Sequence, residues 1–128
     1  MTSYPMLQQS NDERVALLSG AAARAVTIIV ARRRALSGIH WRGELVVTAA
    51  EGLSGAERVE LRSETGASSA EVVAADLTTD VAVLRVPGTT VTDSPVVASV
   101  SPRLGEVVAI VGRDRIMRIV LLFLSAGP

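Results

Sequence analysis

Few side chains in this sequence are suited to chemistry, and their types restrict what that chemistry could be. The chain has no Cys and a single histidine, His40. The lack of Cys excludes disulfides, thiolate chemistry and Cys-based metal sites. One histidine cannot make a metal site by itself, and we expect no cofactor. Hydroxyls and carboxylates remain, and a nucleophilic hydroxyl needs both a base to take its proton and a group that holds this base.

Two carboxylates lie at the ends of apolar, strand-like segments. Glu51 follows the apolar run of "VVTAAEGL", and Asp80 directly precedes the apolar run of "DLTTDVAVL". Asp before a strand is a common turn residue in any β protein. For Glu51 three interpretations stay open: a solvent-exposed turn residue, one member of a carboxylate pair that binds a cation, or some other polar role.

The charge pattern argues against nucleic acid and membrane-spanning roles. Acidic and basic residues balance at 13 each, which gives no basic surface to attract nucleic acid. A membrane span over residues 15–31 would bury Arg24 near its centre, so we expect none. Positive charges follow the apolar segment instead of preceding it, so no export signal is visible and the compartment stays open. The triplet Arg32 to Arg34 indicates a solvent-exposed strand end or a contact with an anion.

The order of apolar segments predicts a mainly β chain. Residues 8–24 begin with a cap-like Ser-Asn-Asp and continue in Ala and Leu, which predicts one helix. Short β-branched segments follow at close spacing, and in "ERVELRS" Val59 and Leu61 alternate with charged residues. Residues 64–69 read as a turn and 89–103 as a linker, and two more strands follow. The pattern favours an antiparallel barrel or sandwich.

Four of these segments, in sequence order, resemble the trypsin-like proteases of the HtrA/DegP group. They are "LSGIHW", "ELVVTAAEGLSGAERVEL", "AEVVAADLTTDVAVLRV" and "LGEVVAIVG". The resemblance implies an all-β fold of the trypsin (chymotrypsin) type. It divides the chain into an N-terminal helical segment (1–25), a first six-stranded barrel (26–88), a linker (89–103) and the first strands of an incomplete second barrel (104–128).

The resemblance also assigns the candidate site. Asp80 falls on the catalytic aspartate that orients the imidazole in such a triad, and Glu51 falls on the catalytic histidine. The nucleophile would lie in a Gly-Asn-Ser-Gly-Gly segment, which this chain lacks, and Ser125 aligns with an ordinary strand residue. His40 lies in the strand before "ELVVTAA", so we expect it to be a strand or rim residue that cannot replace the lost base.

The resemblance therefore predicts a protease homologue that is inactive as this chain. Its partner would be a polypeptide, bound by a protein-binding or scaffold module. The alternative is that the chain is a fragment of an active serine endopeptidase. The apolar run "IVLLFLS" lacks charge and alternation, so we also expect self-association through exposed strand edges. The family is typically periplasmic or associated with the envelope.

Overall fold

A computed structural model describes residues 5–31, 34–64, 66–89, 101–114 and 119–125. A long helix precedes eight strands, and a one-turn helix interrupts them. In chain order these elements are α1 (Pro5–Arg24), β1 (Ala25–Val30), β2 (Arg34–Arg42), β3 (Leu45–Thr48), α2 (Ala50–Leu53), β4 (Arg58–Ser63), β5 (Gly66–Asp76), β6 (Val81–Arg85), β7 (Val107–Arg113) and β8 (Ile119–Ser125).

The first six strands close into an antiparallel barrel. Their order around the barrel is β1-β2-β3-β6-β5-β4, and β1 pairs with β4 to complete the circle. Closure pairs the backbone of every strand on both sides, which removes the exposed edges that an open sheet of this size would carry. The mainly β architecture and the antiparallel barrel predicted from the sequence are confirmed.

Aliphatic side chains fill the barrel, because the chain has few aromatic residues to do so. Ile28, Val46 and Leu84 are fully buried, and the alternation predicted for β4 is confirmed by the inward Val59 and Leu61. These side chains belong to a single core cluster. The barrel is thus a packed body of Val, Leu, Ile and Ala that holds its rim loops in fixed positions.

At Gly38, β2 passes close to this core. A Cβ atom built at Gly38 would lie 2.7 Å from Ile28 Cδ1 and 3.0 Å from Val46 Cγ1. The absence of a side chain therefore leaves room for two neighbouring core residues. By contrast, a Cβ at Gly20 in α1 would meet no atom within 4 Å.

We expect Gly38→Ala to lower the free energy of unfolding by about 1–3 kcal/mol, because the added methyl overpacks the core. The matched control Gly20→Ala should raise the free energy of unfolding by about 0.5–1 kcal/mol, since alanine favours the helix. Urea unfolding of both variants measures the two changes. Equal effects of the two substitutions would contradict this packing.

Strands β7 and β8 form a separate two-stranded antiparallel sheet that is fixed to the barrel at one end of β7. Arg113 ends β7 with a buried side chain. Its guanidinium donates to the carbonyl oxygens of Ala22 at 2.8 Å and Ala25 at 2.9 Å, and to the Glu64 carboxylate at 2.9 Å. Thr27 Oγ1 donates to the carbonyl of the next residue, Asp114, at 2.6 Å. Charge-assisted and polar contacts thereby join the helix, the barrel and the second sheet.

Helix α1 differs from the predicted one at its beginning. The cap expected at Ser10 to Asp12 is wrong, because these residues lie inside a helix that includes Pro5 to Arg24. The preceding Met, Leu and Gln are good helix formers, and proline is tolerated in a first turn. Among the described residues no helix combines the length and apolarity needed to cross a membrane.

The turn predicted over residues 64–69 is also too long. β5 begins at Gly66, which pairs with Ser63, so the connection from β4 is short. Ser68 and Ser69 extend the ladder opposite Leu61 and Glu60, and both are exposed to solvent. Most of the predicted linker, residues 90–100, lies outside the described residues.

Candidate functional site

The structure brings together the two carboxylate residues singled out in the sequence. The backbone N–H of Glu51 donates to Asp80 Oδ1 at 2.8 Å. The N–H of the preceding residue, Ala50, donates to the carbonyl oxygen of Asp80 at 3.3 Å. Both Glu51 and Asp80 are exposed at the barrel rim. A carboxylate that accepts a backbone N–H is fixed in orientation, so Asp80 faces the backbone of Glu51 in one defined way.

Strand pairing explains why the two residues meet. β3 lies beside β6, with Thr48 opposite Ala82. The segment leaving β3 therefore reaches the rim next to the loop that enters β6. Thr48 Oγ1 also donates to the Ser37 carbonyl at 2.8 Å, which ties the end of β3 to β2. Closure of the barrel thus places Glu51 next to Asp80 although they are distant in sequence.

The one-turn helix α2 seats Glu51 at this position. Ala50 and Leu53 are buried, so they anchor the turn in the core while Glu51 points to solvent. Gly52 lies against Leu36, since a Cβ at Gly52 would come within 2.6 Å of Leu36 Cδ2. The backbone position of Glu51 is therefore set by the packing of its neighbours and does not depend on the Glu51 side chain.

Arg34 holds the other end of α2. Its Nη2 donates to the carbonyl of Gly52 at 2.9 Å and to Ser54 Oγ at 2.6 Å. Ser54 is in the left-handed region with φ 51°, and its N–H donates to the carbonyl of Glu51 at 3.1 Å. Of the arginine triplet, Arg32 and Arg33 lie outside the described residues. Sequence patterns did not reveal this contact, because nothing local links an arginine to a turn far along the chain.

Asp80 belongs to a tight loop between β5 and β6. Its φ of 56° is in the left-handed region, which is uncommon outside glycine. At the start of this loop, Asp76 Oδ1 accepts the N–H of Thr78 at 2.9 Å, and Oδ2 accepts the hydroxyl of Thr79 at 3.1 Å. The Thr78 N–H and then the Thr79 hydroxyl stabilise the carboxylate and hold the pKa of Asp76 below its ordinary value. The Asp-x-Thr-Thr spacing was a local signal for this turn, and it was missed.

His40 lies in β2 opposite Val46 and is buried. Its Nδ1 has no hydrogen-bond partner. Burial lowers the pKa of His40 below 6.5, and the nearby charge of Arg24 lowers it further. Burial in the barrel wall therefore favours the neutral form of this histidine.

This burial predicts a pH-dependent stability. Well above pH 6.5 His40 is neutral in both the folded and the unfolded chain, so its protonation does not change the free energy of unfolding there. As pH falls below 6.5, the unfolded chain takes up the proton first, so the free energy of unfolding should decrease. Urea unfolding between pH 7.5 and about 5 should show this decrease.

His40→Leu should remove the decrease over the same pH range. The carboxylates with lowered pKa, Asp76 and Glu106, lose their stabilising contribution only nearer their ordinary values of 3.8 and 4.5, so they act at lower pH. A slope that persists in His40→Leu would show that another group is responsible.

The site holds no evident metal cage. Within the described ranges, no three His, Asp or Glu side chains are grouped so that they could hold a metal ion. Glu51 and Asp80 therefore lack a third ligand among these residues, and the cation interpretation of the pair has no further support.

The segment order and barrel topology agree with a known family. A model described as "Trypsin-like peptidase domain" matches residues 36–125. The chain belongs to the trypsin-like peptidase domain family. The trypsin-like family predicted from the four ordered segments is thus confirmed, and Glu51 and Asp80 lie inside the matched region.

Solved structures share the fold of this trypsin-like chain. One is Rv3671c protease in an inactive form, with a TM-score of 0.72 and 21% identity; 94% of this chain and 58% of that chain are covered. A mutant of Rv3671c from M. tuberculosis H37Rv, also inactive, gives a TM-score of 0.73 at 21% identity over 94% and 56% of the two chains. At these identities the likeness concerns the fold alone.

A serine endoprotease from Yersinia pestis gives a TM-score of 0.70 at 26% identity, over 85% of this chain and 43% of that one. No curated protein matches the sequence significantly. The trypsin-like chain therefore spans between about two fifths and three fifths of the solved chains it resembles.

Proposed function

We propose that this chain is a proteolytically inactive relative of the HtrA/DegP group that acts as a protein-binding or scaffold module. The observation that carries the proposal is the contact between the Asp80 carboxylate and the Glu51 amide. This contact supports an inherited triad position for Asp80. Glu51 then occupies the position at which the base of a triad would lie. A polypeptide is the partner that such a fold would bind.

Glutamate is a poor substitute for the base. Its carboxyl group titrates near 4.3, against about 6.5 for histidine, so at neutral pH it takes a proton from a hydroxyl far less readily. A carboxylate side chain at position 51 also has no N–H to donate to Asp80, whereas an imidazole would be oriented by such a bond. Loss of the histidine alone costs on the order of a millionfold in rate in a serine protease triad.

The nucleophile is missing from this sequence as well. No Gly-Asn-Ser-Gly-Gly segment occurs in it. Ser125 ends β8 opposite Val107, far along the chain from Glu51. Without a serine beside a base, no acyl-enzyme can form on this chain.

The second candidate is that the chain forms part of an active serine endopeptidase. Its support is the coverage, since the solved chains that it resembles are longer. A nucleophile supplied by additional sequence would still face Glu51 where the base belongs. The inactive module is therefore the better supported function.

Self-association is a further part of the proposal. Within the described residues, β7 and β8 pair only with each other, and Ile110 on β7 is 53% exposed. Unpaired strand edges next to an apolar side chain favour pairing with another chain.

A fluorophosphonate probe, which labels activated serines, tests the inactivity. We expect no labelling of the natural chain and none of Glu51→His, because neither contains a serine activated by a base. Trypsin labelled in parallel serves as the positive control. Labelling of the natural chain, removed by prior heat denaturation, would overturn the proposal.

A further inference from the structure

We propose that Asp76 is a positioning residue that holds the loop between β5 and β6 so that Asp80 reaches the amide of Glu51. The proposal rests on the proposed function only for the meaning of the Asp80 position. The contacts that carry it are independent of whether the chain is reactive.

The loop between the two strands is short and its end is strained. Asp76 is paired with Val81, so only Leu77 to Asp80 connect β5 with β6. Asp80 has a φ of 56°. Residues other than glycine adopt this left-handed region at a cost in free energy, which contacts with their surroundings must offset. The loop therefore needs contacts that stabilise this one conformation.

Asp76 supplies contacts at the beginning of the loop. Each of its two carboxylate oxygens accepts one hydrogen bond, from the Thr78 N–H at 2.9 Å and from the Thr79 hydroxyl at 3.1 Å. These bonds fix two of the three residues between Asp76 and Asp80. The lowered pKa of Asp76 agrees with a carboxylate that is bound in its charged form.

Asp80 supplies the contacts at the end of the loop. Its carbonyl accepts the Ala50 N–H and its Oδ1 accepts the Glu51 N–H. Hydrogen bonds therefore hold the loop at both ends, to Asp76 at its beginning and between Asp80 and α2 at its end. Loss of the two bonds to Asp76 should therefore allow the loop to leave the conformation in which Asp80 accepts the Glu51 N–H.

The hydrogen-exchange rate of the Glu51 amide, compared between the natural chain and its variants, measures this coupling. Asp76→Ala removes both acceptors, and we expect the Glu51 amide to exchange roughly three- to tenfold faster, as for the loss of one ordinary hydrogen bond. The amide of Ile28, in the fully buried part of β1, should keep its rate. Asp76→Asn keeps an acceptor for the Thr78 N–H and should retain slow exchange.

The matched control is Glu71→Ala, which removes another exposed carboxylate from the same strand. An Asp76→Ala rate equal to that of Glu71→Ala would overturn the proposal. A rise shared equally by Glu51 and Ile28 would also overturn it, because it would show general destabilisation. If Asp76→Ala does not fold, Thr79→Val decides: faster exchange at Glu51 supports the proposal and unchanged exchange overturns it.

Failure of the role proposed for Asp76 is distinguishable from failure of the proposed function. Labelling by a fluorophosphonate would overturn the inactivity without altering the exchange result. An unchanged Glu51 amide would remove the role of Asp76 while the chain remained unlabelled.

Discussion

One hydrogen bond, from the Glu51 amide to the Asp80 carboxylate, joins the two parts of the barrel rim on which the site depends. It can form because barrel closure places β3 next to β6. Buried Ala50 and Leu53 hold one partner, and the tight loop with its left-handed Asp80 holds the other. The position of Glu51 is thus set by the backbone and the core, independently of which side chain occupies it.

This independence separates the fold from the chemistry. A barrel that fixes its rim through backbone contacts can keep the geometry of a catalytic site after the base has been replaced. Here the Asp80 carboxylate accepts the Glu51 amide, while a carboxylate side chain at position 51 lacks the N–H of an imidazole. Family membership therefore describes the fold of this chain, whereas the side chains at the site determine which chemistry the fold can support.

Local sequence patterns predicted the structure well where the burial of apolar side chains alone determines it. The alternation in β4 identified Val59 and Leu61 as core residues, and the ordered segments indicated the barrel. Contacts between distant residues were not predictable, because no sequence spacing encodes the reach of Arg34 to α2 or of Arg113 to Ala22. The beginning of α1 was misplaced since cap-like residues also occur inside helices when good helix formers precede them.

The most direct test introduces an imidazole at position 51, where we propose that the base of a triad would lie, and measures the pKa of this imidazole. Because the natural chain has one histidine, Glu51→His adds a single new set of imidazole signals to the NMR spectrum. We predict that Asp80 raises the pKa of this imidazole above 6.5 by about one unit, and that adding Asp80→Asn abolishes the rise. The same imidazole pKa with and without Asp80→Asn would contradict this prediction, because Asp80 would then not interact with the side chain at position 51.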